Sequence, residues 1–135
     1  MPQLTFVLGL CGSGKTHLSE QLKKETGAEV FEDILADGSS LPALMQSLRE
    51  GKDCIVDEVR FCLPTYREQI LQYLSPIAGV TMHWICFEND LESANWNVMR
   101  RKNKGDPEGH LDINLRLHPH YDYPANAKVI PIERI

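Results

Sequence analysis

The sequence has no long hydrophobic run. None of its apolar stretches approaches the length of about eighteen residues that a transmembrane helix needs. The amino terminus, Met1-Pro2-Gln3, carries no basic region, and the apolar run that follows it is too short for a signal peptide. These absences predict a cytoplasmic protein that has no membrane partner.

Basic residues are too few for broad capture of nucleic acid. Lys and Arg number 14 against 19 Asp and Glu, which gives a net charge of −5. The basic residues concentrate at Arg100, Arg101, Lys102 and Lys104 instead of forming a long stripe. Because duplex binding depends on many phosphate contacts, we expect no extended binding of duplex nucleic acid. These charges do not exclude a small anionic substrate or the end of a single nucleic-acid strand.

Cysteine spacings typical of metal or redox sites are also missing. The four cysteines form no C-x-x-C pair, and three stand in or beside apolar runs, where Cys behaves as a small buried hydrophobe. We therefore expect reduced thiols at Cys11, Cys54, Cys62 and Cys86. Cys11 is a reactive thiol if a local positive field lowers its pKa, and otherwise a plain small residue in a loop.

Length and composition predict one compact domain over residues 1–135. Apolar residues make up 42% and charged residues 24%, which is ordinary globular usage, and the chain has no low-complexity tract or repeat. A chain of 135 residues is long enough for one core and too short for two. These features do not determine the oligomeric state.

A phosphate-binding loop is the most informative motif present. Residues 9–16, Gly-Leu-Cys-Gly-Ser-Gly-Lys-Thr, match G-x-x-x-x-G-K-[ST] and follow the apolar run 4–8. Backbone N–H groups of such a loop converge on phosphate oxygens at a helix amino terminus, which favours anions. Lys15 is expected to be catalytic by reaching the β- and γ-phosphates of ATP, and Thr16 to hold Mg²⁺. The alternative is a glycine-rich turn that enters a helix. The predicted nucleotide-binding residues are Gly9, Cys11, Gly12, Ser13, Gly14, Lys15, Thr16 and His17.

Apolar runs alternate with helix-compatible segments along the chain. Gly27 and Gly51 each follow a helix-compatible segment, where glycine adopts a left-handed backbone at the lowest energetic cost. Pro42 and Pro64 each lie near the start of such a segment, where the missing N–H of proline breaks no helical hydrogen bond. The alternation predicts an α/β fold with a parallel sheet. Strands are predicted at residues 4–8, 28–31, 53–56, 80–87 and 128–132, and helices at about 15–26, 41–50, 64–74 and 91–101.

Residues 102–110 are polar and rich in turn formers, which predicts a mobile loop that closes over a nucleotide as a short lid. Residues 103–106 match N-K-x-D, the motif that reads guanine in GTPases. That motif should follow a buried strand, whereas a polar, helix-like stretch precedes it here, and residues 57–60 lack the GTPase D-x-x-G. Guanine recognition is therefore disfavoured, but the preference between adenine and guanine stays open.

Residues 54–58 form an apolar strand that ends in acid, which is the Walker B pattern. Parallel strands end at the same rim as the phosphate-binding loop, so Asp57 is expected to hold Mg²⁺ directly or through water. The alternative is a solvated Asp in a turn. Glu58 either activates water, as in hydrolysing ATPases, or pairs with Arg60 or Arg67.

Three more side chains are candidates for catalysis. Asp33 ends the second predicted strand and is favoured over Glu32, which can still belong to that strand, for orienting and deprotonating an attacking hydroxyl. A turn-forming Asp is the alternative. Arg100 and Arg101 end a predicted helix, where the dipole alone favours cations, and at least one of them is expected to stabilise the transferred phosphoryl group. Arg67 is a weaker candidate for gripping the acceptor or a phosphate.

The histidines near the carboxyl-terminal end do not have the spacing of a zinc site. Surface-loop positions are the first interpretation. The second is a pocket for the acceptor or the base, since aromatic rings stack on planar rings. Its residues would be His118, His120, Tyr121 and Tyr123.

Together these residues resemble the small P-loop kinases of the polynucleotide-kinase and zeta-toxin type, often described as AAA-type ATP-binding kinases. The resemblance rests on residues 9–16, Asp33, residues 55–57 followed by Arg67, the Arg100-Arg101 pair and a last strand near 129–132. It implies a P-loop NTPase fold of three α/β/α layers, with a five-stranded parallel sheet in the order 2-3-1-4-5. It also implies ATP with Mg²⁺ and in-line transfer of the γ-phosphate to a hydroxyl or phosphate.

The chain departs from that family in two ways. Residues 34–38 supply no arginine shortly after Asp33, and the chain is short, which indicates a trimmed acceptor-binding region. The acceptor therefore stays open between a small metabolite, a nucleoside or nucleotide, and a nucleic-acid 5′ end. An ATPase or switch without an acceptor, motivated by Glu58, is the main alternative, and a binding module without turnover is the third.

Overall fold

Five parallel strands form the centre of the fold. The computed structural model describes residues 1–36, 38–101 and 105–135. The predicted parallel α/β fold and its strand order are confirmed. The last strand is shorter than predicted, because Pro131 has no N–H to continue the ladder. The strands are β1 (Gln3–Leu8), β2 (Glu29–Phe31), β3 (Cys54–Asp57), β4 (Thr81–Phe87) and β5 (Lys128–Ile130). Their order across the sheet is β2-β3-β1-β4-β5.

Helices connect the strands and cover both faces of the sheet. The first four confirm the predicted helices to within one residue at each end. Gly27 has a left-handed backbone with φ of 74° and ends the first helix by donating its N–H to the carbonyl of Lys23. In the described ranges, no helix is long and apolar enough to cross a membrane. The helices are α1 (Lys15–Thr26), α2 (Ser40–Arg49), α3 (Pro64–Leu74), α4 (Leu91–Arg100) and α5 (Pro107–Leu117), with short 3-10 helices at Val59–Cys62 and His118–His120.

Two hydrophobic cores, one on each face of the sheet, hold the helices in place. The first core takes Leu4, Phe6 and Leu8 from β1 together with residues of α2 and α3. The second takes Val7 from β1 together with residues of α1 and α4. Because a central parallel strand is buried on both faces, β1 is a continuous apolar run in the sequence. The result is three layers, α/β/α, with the loop after β1 at the middle of the sheet edge.

Helix α5 was not expected, because residues 102–110 predict a loop. Residues 102–104, and with them part of the N-K-x-D match, lie outside the described residues. The prediction is wrong for 107–110, since α5 begins at Pro107, a residue that fits the first turn of a helix. The buried residue of α5 is the polar Asn114, so hydrophobic periodicity gives no sign of this helix. Closure over a nucleotide stays a prediction.

Candidate functional site

A cleft of about 880 Å³ opens at the carboxyl ends of the strands. Parallel strands bring the residues that follow all five of them to this edge. Two predicted site residues, Gly9 and Arg100, are outside its described lining. The predicted residues that line it are Cys11, Gly12, Ser13, Gly14, Lys15, Thr16, His17, Asp33, Asp57 and Arg101.

The phosphate-binding loop joins β1 to α1 and needs its glycines. Gly12 and Gly14 have φ of 86° and 111°, which side chains rarely permit. A Cβ at Gly12 would also collide with the carbonyl oxygen of Ala94 on α4. A Cβ at Gly9 would lie 2.5 Å from Ser13 Oγ. Gly9 therefore has a packing role inside the loop, and its contact with nucleotide stays a prediction.

Two asparagines from distant helices hold this loop. Asn114 is fully buried, and its side-chain amide accepts the N–H of Cys11 at 2.7 Å and donates to the carbonyl of Cys11 at 2.9 Å. Asn97 of α4 donates to the carbonyl of Gly12 at 2.9 Å. Both polar backbone groups of Cys11 are thus satisfied by one side chain. No sequence motif identifies these asparagines, since a single Asn in a helix has no characteristic spacing.

The loop presents polar groups that fit a polyphosphate. The ammonium group of Lys15 donates to the carbonyl of Leu10 at 3.0 Å, which keeps it folded over the loop. Among the described residues, the buried hydroxyl of Ser13 has no hydrogen-bond partner. Gly14 precedes α1 and has no side chain to cap the first N–H groups of the helix. Phosphate oxygens would satisfy the hydroxyl and these N–H groups together.

Asp57 ends β3 and is 2% exposed. One carboxylate oxygen accepts a hydrogen bond from the hydroxyl of Ser19 on α1 at 3.2 Å, and the other accepts the N–H of Asp33 at 3.2 Å. Burial raises the pKa of Asp57 to about 6, although the Asp33 N–H and the charge of Lys15 act in the opposite direction. The ionised carboxylate therefore lacks a full set of favourable partners.

A hard cation would supply what Asp57 lacks. Asp57 and Thr16 both line the cleft and offer oxygen ligands, as Mg²⁺ requires. The described residues contain no cluster of three or more His, Cys, Asp or Glu that could hold a metal. The pair therefore fits a Mg²⁺ site of the kind in which the protein supplies one or two ligands, while phosphate oxygens and water supply the others.

Two carboxylates follow β2 at the cleft. The strand ends at Phe31, so Glu32 lies beyond it, and both Glu32 and Asp33 line the cleft. The possibility that Glu32 still belongs to the strand is therefore excluded. Asp33 has φ of 48°, an uncommon left-handed backbone for a residue with a side chain, and its N–H bonds to Asp57. This bond ties the β2 carboxylates to the end of β3.

Glu58 and Arg67 have structural roles. The carboxylate of Glu58 is 1% exposed, accepts the N–H groups of Leu35 at 2.9 Å and Arg60 at 3.1 Å, and pairs with the Arg60 guanidinium at 3.6 Å. The pairing of Glu58 with Arg60 is confirmed. Arg67 is buried and donates to the carbonyl of Asp122 at 3.0 Å and to its carboxylate at 2.5 Å. The prediction that Arg67 grips an acceptor or a phosphate is wrong.

The two adjacent arginines at the end of α4 have different surroundings. Arg101 lines the cleft, where its guanidinium contacts Nδ1 of His110. Burial, and then the charge of Arg101, lowers the pKa of His110, so the neutral ring accepts this hydrogen bond. The guanidinium of Arg100 instead lies 3.2 Å from the centroid of the Trp96 ring. The expectation that at least one of the pair is catalytic stays a prediction, and the position of Arg101 in the cleft favours this residue over Arg100.

The aromatic and histidine residues near the carboxyl-terminal end contact β4 and the loop that follows it. The hydroxyl of Tyr121 donates to the carbonyl of Phe87 at 2.5 Å. Nδ1 of His118 lies 2.9 Å from Oδ1 of Asn89, and the hydroxyl of Tyr123 accepts the N–H of Asn89 at 2.7 Å. These contacts favour the first interpretation, in which the residues have no part in a pocket for the acceptor or the base. Four residues are outside the described lining of the cleft: His118, His120, Tyr121 and Tyr123.

Apolar side chains form one wall of the cleft, on the side of β4 and β5. Asn97 fixes the chain after β5 against α4, because it donates to the carbonyl of Glu133 at 2.8 Å and accepts the N–H of Ile135 at 2.9 Å. Phe87, Ile130 and Pro131 lie at the carboxyl ends of the fourth and fifth predicted strands, at the sheet edge that also carries the phosphate-binding loop, and this position is the signal that identifies them in the sequence. The wall consists of Phe87, Ile130, Pro131 and Ile135.

The cysteines are free thiols, as expected. Burial raises the pKa of Cys11, while the charges of Lys15 and Arg101 oppose this shift. The interpretation of Cys11 as a thiol activated by a positive field is therefore wrong. Its backbone, and not its thiol, is the part that Asn114 holds.

Comparison with known proteins places the fold. No family model matches the chain. An uncharacterized protein of Acanthamoeba polyphaga mimivirus is 28% identical over 129 residues, which cover 93% of this chain and 91% of that protein.

Three solved structures extend the comparison. A sugar kinase from Janibacter sp. matches with a TM-score of 0.68 at 18% identity, covering 97% of this chain and 84% of that one. A gluconokinase from Sinorhizobium meliloti matches with a TM-score of 0.62 at 14% identity, and the match covers 99% of this chain and 85% of that one. A Chaetomium thermophilum protein in complex with ADP-AlF3 matches with a TM-score of 0.63 at 15% identity, and the match covers 95% of this chain and 88% of that one. Together with the strand order and the phosphate-binding loop, these likenesses show that the chain has the P-loop NTPase fold.

Proposed function

We propose that this protein is an ATP-dependent phosphotransferase that moves the γ-phosphate of ATP to a hydroxyl or phosphate acceptor. The proposal is carried by the convergence, in one cleft, of the phosphate-binding loop, Asp57, the two carboxylates after β2 and the guanidinium of Arg101. Phosphoryl transfer depends on positioning and on stabilisation of charge, and these groups supply both. The narrower assignment to kinases of the polynucleotide-kinase and zeta-toxin type belongs to the same proposal.

In this proposal the phosphate chain of ATP lies on the loop. Ser13 and the first N–H groups of α1 bind phosphate oxygens, and Lys15 exchanges the carbonyl of Leu10 for the β- and γ-phosphates. The apolar wall on the β4–β5 side suits a planar base. Asp57 and Thr16 would hold Mg²⁺, which would offset the negative charge of the phosphates.

The transfer step then needs a base and a cation. The acceptor oxygen forms a bond to the γ-phosphorus while the bond from that phosphorus to the bridging oxygen breaks, and ADP leaves with the electron pair. Asp33 takes the proton of the acceptor hydroxyl. Arg101 stabilises the charge on the transferred oxygens. The sugar kinase and gluconokinase among the structural relatives are consistent with this reaction class.

The ATPase alternative depends on Glu58 as the group that activates water. That carboxylate is 1% exposed and is bonded to Leu35 and Arg60, so it has a structural role instead. Asp33 and Glu32, by contrast, line the cleft. The balance of observations therefore favours transfer to an acceptor over simple hydrolysis.

The test is to incubate the protein with γ-labelled ATP and Mg²⁺, alone and with pooled nucleosides, nucleotides, 5′-hydroxyl oligonucleotides and sugars. The adjacent arginines provide a matched pair of variants. We expect Arg101→Ala to lower the labelling rate about a hundredfold or more, and Arg100→Ala to lower it less than about threefold. Label released only as free phosphate, at a rate that no acceptor changes, would refute the proposal.

A further inference from the structure

We infer that the acceptor is an uncharged molecule with several hydroxyl groups, and not a phosphorylated compound. The inference rests on the proposed function and names the substrate class of the same cleft. The distribution of charge and polarity along the cleft carries it.

The loop after β1 divides the cleft into two halves, because β1 is the central strand. The half beside β4 and β5 contains the apolar wall and Glu133, while Arg101 and His110 reach the cleft from the end of α4 and from α5. The half beside β2 and β3 is lined by residues after these strands and on the adjoining part of α1. These residues are Thr16, His17, Gln21, Glu32, Asp33, Asp57 and Val59.

The β2–β3 half is negative. Its described lining contains three carboxylates and no Lys or Arg. Lys15 lies at its border, where the proposed function assigns it to the phosphates of ATP. Two arginines close to it in sequence are engaged elsewhere. Arg60 pairs with Glu58, and Arg67 is buried against Asp122. If Asp57 is offset by Mg²⁺, Glu32 and Asp33 still oppose an acceptor that carries a phosphate.

The same half is suited to hydroxyl groups. His17 and Gln21 lie one turn apart on α1 and both line the cleft, so an imidazole and an amide share its lining with the carboxylates. The Gln21 amide has a long bond of 3.4 Å to Glu25, which a hydroxyl can replace. Imidazole, amide and carboxylate groups accept hydroxyl hydrogens, and Val59 offers an apolar contact to the carbon face of a ring. Neutral polyols combine these two requirements.

The test compares matched acceptors with γ-labelled ATP and Mg²⁺. Each nucleoside is paired with its 3′-monophosphate, which keeps the same 5′-hydroxyl, and each sugar with a monophosphate that keeps a free primary hydroxyl. We expect kcat/KM for the uncharged member to exceed that of its phosphorylated partner about tenfold or more. Equal or higher kcat/KM for the phosphorylated members, or for 5′-hydroxyl oligonucleotides, overturns the inference and leaves the kinase proposal standing. Label released only as free phosphate overturns both.

A charge reversal adds a second measurement. We expect Glu32→Lys to reduce the preference for the uncharged member about tenfold, and Glu68→Lys, an exposed site on α3, to leave it unchanged. Calorimetric titration of both acceptors into protein saturated with a non-hydrolysable ATP analogue checks binding without turnover. Tighter binding of the phosphorylated member to the unmodified protein would overturn the inference even if transfer is slow.

Discussion

Replacing Asp57 by Asn should stabilise the nucleotide-free protein while it abolishes catalysis. The folded state holds the Asp57 carboxyl at a pKa of about 6, against 3.8 for an ordinary Asp, because the group is buried. Between these two pH values the folded protein binds more protons than the unfolded chain, so stability falls as pH rises from about 4 to about 6. At pH 7 the full cost of the buried charge is present.

The size of the effect follows from that shift. A shift of about 2 pKa units corresponds to a ceiling of about 3 kcal/mol, and we expect a gain of about 1 to 3 kcal/mol at pH 7. Asn remains neutral and can keep both hydrogen bonds. Its Oδ1 accepts the N–H of Asp33, and its Nδ2 donates to the hydroxyl oxygen of Ser19, which accepts as readily as it donates.

The assay is thermal and denaturant unfolding of both proteins between pH 4 and pH 8, without nucleotide. Asp57→Asn should unfold several degrees higher at pH 7, and the difference should vanish towards pH 4. Mg²⁺ with ATP should stabilise the unmodified protein more than the variant. Asp112→Asn makes the same chemical change at an exposed site on α5 and is the control. A variant that is less stable at pH 7, or a gain independent of pH, would refute this reasoning.

Three further predictions concern the loop and the thiols. Gly12→Ala should weaken ATP binding at least about tenfold in a titration, because its Cβ meets Ala94, whereas Gly27→Ala, with open space, should cost only about 1 kcal/mol and leave binding intact. Asn114→Ala leaves two polar groups of Cys11 without partners and should lower the free energy of unfolding by about 2 to 4 kcal/mol; an unchanged denaturation midpoint would contradict this. At pH 8, native protein should react with iodoacetamide far more slowly than denatured protein at the three buried thiols, and rapid native alkylation, read by mass spectrometry, would count against their raised pKa values. Burial raises these pKa values to about 12, 12 and 11 at Cys54, Cys62 and Cys86.

The predictable parts of the fold have local physical signals. Helix α1 follows a glycine-rich loop and ends at Gly27, and α3 begins at Pro64, so backbone preferences mark both helices. The continuous apolar run of β1 marks a strand that is buried on both faces. Helix α5 lacks such a signal because the residue that it buries is polar. Its first turn has no apolar periodicity either, so the sequence pattern predicts a loop there.

The candidate site divides in the same way. The motif residues, from Cys11 to Thr16, and Asp57 at the end of its strand reach the cleft as expected. Arg100 and Arg101 are indistinguishable in the sequence, and the turn of the chain at the end of α4 sends one to Trp96 and the other to the cleft. Glu58 likewise follows the Walker B Asp but turns to Arg60.

The sequence by itself determined the phosphate-binding loop, the alternation of strands and helices and the strand that ends in Asp57, since these depend on residue order and on local backbone preference. Only the tertiary structure decided which carboxylates and which arginine share the cleft. It also decided that Asn114 holds Cys11, a contact between residues 103 positions apart. Contacts of this kind depend on side-chain directions and on the packing of α4 and α5 against the loop, and no local pattern in the sequence encodes them.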